Sequence, residues 1–411
     1  MLPFSLVAQD ANNLPALPGH IAYIGTDQNV YTVRLADDQM TPLTTDASSS
    51  RVYRWPTWST DGRLAYFATA QNGPQLITEV YVSRDGTTPG QSVYGGENEV
   101  FNYASWSPQN CPERENCRDL AVLLSSAEAD NLIVELIRDQ QAPTNETIGV
   151  GTPFYFSWSP DGSHMLWHRN NQQLEVYDVA TNAITETLPI ILGAFQAPGW
   201  SPVDDRLLFG TLNADGETTD LTIIGSTERQ TLVSRLSGIA AFSWSPNGNY
   251  VAYTNREGPL LVIDTATGQV IARSPGSGIL AFFWSPDSRQ LAYVTLATPP
   301  SSFNVRMNST GKVAAINYQD TTGAAWAVLD VVTGSDRRYG AFIPTEAMFY
   351  LLVYFDQFAQ SHRVWSPDSR YLVYAETTPD DKAIISILDT SLPNSVPFSL
   401  ADGVIGVWSF D

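Results

Sequence analysis

Positive charge is scarce in this chain. Lys312 and Lys382 are the only lysines in 411 residues, and arginine supplies the remaining basic side chains. Acidic residues outnumber basic ones 43 to 22, giving a formal net charge of −21 and a pI near 4.4. So acidic a surface repels phosphate backbones, which excludes nucleic acid as a partner and favours plain solubility. No apolar run approaches the length of a membrane-spanning helix. Gly-x-Ser-x-Gly, the nucleophile turn of α/β-hydrolases, is missing; the nearest string, GQSVYGG from Gly90, has the wrong spacing. No glycine-rich nucleotide loop occurs, so no cofactor is expected.

Histidine and cysteine are also few. The four histidines are His20, His164, His168 and His362. His164 and His168 would be a zinc pair on a helix, but they fall in a strand pattern, which sets them about 13 Å apart at ~3.3 Å per residue. No metal site is expected from them. Cys111 and Cys117 stand in QNCPERENC. Cysteines this close suit a metal half-site or a local disulfide. No second pair exists to complete a metal site, so the spacing favours a disulfide clasping a surface loop. That reading places the chain in an extracytoplasmic compartment, periplasmic, cell-surface or secreted. The first residues, MLPFSLVAQDANNLPALPG, have a short apolar run without a basic start, so they are not an intact signal peptide. Either a signal has been removed or the protein is cytosolic. Residues 1–18 read as a tail or linker.

What the chain has in abundance is a repeat. A Trp-Ser element recurs at Trp58, Trp106, Trp158, Trp200, Trp244, Trp284, Trp365 and Trp408. The intervals run from 40 to 52 residues, with a single one of 81 between Trp284 and Trp365. After each Trp-Ser come a Pro-Asp-Gly-like turn and an apolar-alternating stretch such as YVAYTN or QLAYVTL. A second stretch follows, often ending in Asp, as in LLVIDTATG. Period-two alternation marks half-buried strands. Ser, Pro and Gly fit the successive positions of a type I turn, and Pro ends the strand before it. The small residue before five of these tryptophans (Thr57, Ser105, Ser157, Gly199 and Ser243) leaves room for a neighbouring unit.

Four-stranded units at this spacing predict an all-β, single closed propeller over residues 19–411. Eight Trp strands predict eight four-stranded blades. Three N-terminal strands (HIAYIG, NVYTVRLAD, MTPLTTD) and one C-terminal strand (GVIGVWSFD) would complete one blade and close the ring. The long interval is read as one blade with insertions at 298–323 and 344–362. Within the second, Met348, Leu351, Leu352, Phe355 and Phe358 form a helical stripe with Thr345 as N-cap. It packs on the propeller face or lies as a partial lid over the central channel.

The WSPDG…LAY units resemble the PD40 repeats of TolB-like, WD40-like propellers, across essentially the whole chain. The resemblance implies fold more than function, because the motif residues are turn and packing residues. It implies an extracytoplasmic, monomeric binding or scaffold propeller whose ligand is protein or glycan. The alternative is a hydrolase or lyase with its site at the channel mouth. Propeller ligands usually meet loops that lead into the innermost strands. Those loops carry Tyr53, Arg54, Phe101, Asn102, Phe154, Phe195, Gln196, Gln360, His362 and Arg363, the expected binding residues. Aromatic and Arg side chains of this kind are enriched among interface anchors. No residue is assigned a catalytic role.

Overall fold

The structure is a computed structural model describing residues 17–36, 39–111, 117–138, 142–225, 228–255, 257–296, 305–307, 313–316 and 323–411. Most of the expected tail 1–18 and of the expected insertion 298–323 lies outside them.

The Trp-Ser-Pro-Asp element is turn chemistry. Ser159 Oγ donates to Asp161 Oδ1 at 2.6 Å and accepts from the backbone N–H of His164 at 2.9 Å. Ser245 does the same with Asn247 and Tyr250, and Ser366 with Asp368 and Tyr371. One hydroxyl thus fixes both the turn and the start of the next strand. The position after the Asp or Asn needs positive φ, and Gly162 (74°) and Gly248 (69°) supply it, while Ser288 and Ser369 accept the strain.

Four of the repeat tryptophans fasten their sheet to the one before. The indole N–H of Trp106 donates to Thr57 O at 2.9 Å, Trp244 to Gly199 O at 3.3 Å, Trp284 to Ser243 O at 3.4 Å and Trp365 to Phe283 O at 3.0 Å. The acceptor is each time the residue before the preceding tryptophan. At Gly199 an added Cβ would come 3.1 Å from the Trp244 ring, so a side chain there would require the indole to shift by a few tenths of an ångström.

Six antiparallel four-stranded sheets stand around the axis, and their innermost strands are Arg51–Trp58, Glu99–Trp106, Phe154–Trp158, Gly199–Trp200, Ala241–Trp244 and Ile279–Trp284. The seventh sheet has six strands. Its strand Phe398–Trp408 runs unbroken for 11 residues. The front half pairs with Ala383–Asp389, Ile384 opposite Asp402. The back half pairs with His20–Gly25, Ile21 opposite Trp408 and Tyr23 opposite Gly406. Trp365 contributes only an isolated bridge to Leu372. The expectation of eight four-stranded blades is therefore overturned. The ring has seven blade sheets, because one continuous strand places the Trp365 and Trp408 units in a single sheet. A separate hairpin, Val305–Met307 with Val313–Ile316, leaves the chain between the second and third strands of the sheet opened by Ile279–Trp284.

Candidate functional site

The segment after Phe342 forms helices α1 (Glu346–Val353) and α2 (Phe355–Phe358). Thr345 caps α1, accepting from Met348 N–H at 3.2 Å and donating to Val404 O at 2.6 Å. Met348, Leu351, Leu352, Phe355 and Phe358 are all buried. They are buried inside the ring. Phe358 packs on Trp55 (4.8 Å between ring centroids) and Tyr103 (5.3 Å), and Phe355 on Phe282 (4.7 Å). Gln357 hydrogen-bonds the backbone of Phe156, Asp356 accepts from Ala197 N–H at 3.3 Å, and α2 also meets Ala241–Trp244. The segment meets six of the seven sheets and the Ala197–Pro198 backbone just before the remaining one, and so plugs the axial channel.

His362 closes the plug. It is 1% exposed, with Nδ1 2.7 Å from Ser361 Oγ and Nε2 3.2 Å from Thr57 Oγ1. Burial drives its pKa down to about 3, so the imidazole is neutral. It is a core histidine.

Beneath the plug, at the face of the Trp-Ser-Pro turns, a cavity of about 320 Å³ opens. Its walls are Trp106, Trp158, Trp200, Trp244 and Trp284 with the proline two residues after each. Its inner end is built by Asp356, the stretch from Ala359 to Trp365, and Phe410. Arg363 is half-buried there, its guanidinium carbon 4.0 Å from the centre of the Phe410 ring. Burial lowers its pKa to about 10.

The structure distributes the expected binding residues unevenly. Tyr53, Phe101, Phe154 and Phe195 are buried between strands: Phe101 stacks on Phe67 at 3.9 Å, and Phe195 on His168 at 4.4 Å. Arg54 is exposed; Asn102 is half-buried and donates to Ser125 Oγ at 2.9 Å. Gln196 is half-buried and donates to Tyr155 OH at 3.2 Å. Gln360, His362 and Arg363 come together at the cavity, with Gln360 exposed. Sequence reasoning missed the wall itself. Its signal was in view, since a Trp-Ser-Pro motif repeated around a closed ring must converge at one mouth.

Cys111 and Cys117 form a disulfide. Among the described residues they and Asp119 are the one grouping of His, Cys, Asp or Glu close enough to share an ion, and the two sulfurs are bonded to each other. Among the described residues no helix is long and apolar enough to cross a membrane.

No family model matches the chain, and a search of curated proteins finds no relative. Among solved structures, a eukaryotic initiation factor aligns with TM-score 0.54 at 12% identity, over 95% of this chain and 98% of that one. An oligogalacturonate lyase in complex with manganese aligns with TM-score 0.50 at 12% identity, over 84% and 86%. TolB from Acinetobacter baumannii aligns with TM-score 0.41 at 15% identity, over 87% and 82%. At such identities the likeness concerns the fold alone, and a propeller is a frame that many functions share.

Proposed function

We propose that the chain is a TolB-like binding or scaffold propeller of an extracytoplasmic compartment, monomeric and without catalytic turnover. Its ligand, protein or glycan, is held at one mouth of the plugged axis. The observation that carries this reading is the plug. A site for hydrolysis or elimination at a channel mouth needs histidines and carboxylates converging on open space. Here the axis is filled with Leu, Met and Phe side chains, and its histidine, His362, is neutral and packed among aromatic rings. The Cys111–Cys117 disulfide supports the compartment. Of the expected binding residues, Gln360 and Arg363 belong to the cavity we assign to the ligand, beside the tryptophan and proline walls.

The test uses purified protein on peptide and glycan arrays, alongside incubation with peptide and polysaccharide libraries with and without added manganese. Retention of a ligand with no product formed is the expected result. Metal-dependent release of product overturns the reading in favour of a lyase or hydrolase.

A further inference from the structure

The turn-face cavity has one feature that blade packing does not account for. Arg363 brings a positive charge into a space whose side walls are mainly indole and proline rings. Among the described residues no carboxylate lies within ion-pairing distance of it. Its only protein hydrogen bond among them is long, from Nη1 to Phe410 O at 3.5 Å. A guanidinium carries five N–H donors, so most of its capacity is unspent. Its backbone is held by an isolated bridge to Trp408, whose N–H donates to Arg363 O at 2.9 Å, so the head group is presented from a tethered backbone. A partly desolvated cation with open donors is costly unless an anion completes it. The other ionisable groups at the cavity do not fill that role: Asp356 accepts from Ala197 and Gln357 N–H, and His362 is neutral.

We propose that Arg363 is the anion-recognition residue of this cavity, and that the ligand is the carboxylate end of an apolar peptide. The inference rests on the cavity being the ligand site. A planar guanidinium fork matches a carboxylate bidentately. The walls decide what the carboxylate is attached to. The indole N–H groups of Trp106, Trp244, Trp284 and Trp365 are already given to carbonyls of the preceding sheets. Among the described residues the Trp158 and Trp200 N–H groups have no partner but lie buried, which leaves serine hydroxyls and Gln360 as the polar groups a sugar acid would meet, and each buried unmatched hydroxyl weakens binding. An apolar chain end needs only flat hydrophobic surface beyond its carboxylate. A volume of about 320 Å³ admits a short end, not a folded domain.

The test is calorimetric titration of the full chain with acetyl-Leu-Pro-Phe bearing a free carboxylate, with the same peptide as its C-terminal amide, and with glucuronic acid. Quenching of the wall tryptophans provides a second readout. The acid peptide is expected to bind about tenfold or more tightly than the amide. In Arg363→Gln that preference falls to about one. Arg363→Lys, which keeps the charge and loses the fork, falls between and serves if the Gln variant does not fold. Equal binding of acid and amide by the wild type, or an undiminished preference in a folded Arg363→Gln, overturns the assignment. Tighter binding of glucuronic acid than of the peptide overturns the peptide as source. If none of the three probes binds, the inference fails while the binding-propeller reading still stands or falls on the arrays. If the acid peptide binds and is cleaved, the non-catalytic reading fails and the carboxylate assignment survives.

Discussion

Gln357 pairs with the backbone of Phe156 as a neighbouring strand would, its Nε2 donating to Phe156 O at 2.8 Å and its Oε1 accepting from Phe156 N–H at 3.1 Å. The two residues are 201 positions apart in the chain. A side-chain amide on a short helix thereby stands in for a missing ladder partner on an innermost strand, and the plug and the ring become one cooperative unit.

Gln357→Ala leaves a buried N–H and a buried C=O of Phe156 without partners. It is expected to cost about 2–6 kcal/mol, from two such groups at about 1–3 kcal/mol each, read as a shift in urea midpoint at unchanged slope. Gln357→Glu, where its carboxyl is protonated, offers one O–H donor and one acceptor and should recover part of the loss there. An unchanged midpoint in the Ala variant would refute the pairing.

Trp408 is fully buried, and its indole donates to Pro18 O at 2.8 Å, whereas Trp284 is only half-buried. Trp408→Ala should therefore cost about 3–5 kcal/mol, the range for large core truncations, and Trp284→Ala distinctly less. Denaturant titrations of the two variants side by side decide it. Equal losses would mean that the closing sheet is no tighter than the others.

The His362 pKa of about 3 in the fold, against an ordinary value of 6.5, sets an acid-stability profile. Between those two values the unfolded chain binds a proton that the folded chain refuses. Stability is therefore fully present above the ordinary value and is lost as pH falls toward 3, by up to about 1.4 kcal/mol per pH unit. His168, whose pKa burial also lowers, acts in the same direction, while Glu99 and Asp119, whose pKa values burial raises, act against it. The comparison is therefore between wild type and His362→Gln. The variant's unfolding free energy should fall less steeply between pH 6.5 and 4, and parallel curves would sink the assignment.

The Cys111–Cys117 disulfide closes a short loop, with a sequence separation of 6. Mass spectrometry of the protein from its native compartment, prepared without reductant, should find both thiols blocked. The double Ser variant should lose about 2 kcal/mol by the loop-entropy relation. Two free thiols in the native protein would remove the principal support for an extracytoplasmic location.

Local chemistry was readable and long-range continuity was not. The Ser-Pro-Asp turns, the strand pattern and the all-β propeller class follow from residues within ten positions of each other. The blade count did not follow, because counting tryptophans assumes one sheet per Trp strand. The stretch from Phe398 to Trp408 contains no proline, and its Asp402-Gly403 pair, a turn signal in sequence, lies inside one continuous strand. Its Gly403, where an added Cβ would come 2.8 Å from Ile24 O, marks the close approach at which one strand changes partner. The helical stripe from Met348 to Phe358 was likewise visible, but its place in the axis depends on a ring that only tertiary closure creates. At the candidate site the aromatics before each Trp were readable as residue types. Their burial was not, since whether Phe101 faces solvent or Phe67 is decided by the neighbouring strand.

The joint between His20–Gly25 and Phe398–Trp408 governs how the molecule can be made. His20 and Ser409 meet across 389 positions. During synthesis the strand His20–Gly25 therefore waits, its inner edge unpaired, until Phe398–Trp408 has emerged. The entropy of closing so long a loop grows only slowly with length, so the finished ring is not much penalised; the waiting time is the hazard. A second copy's Phe398–Trp408 carries the same register as the chain's own. When nascent copies are crowded, the interaction that seals one ring is equally able to join two molecules by exchange of their final strands.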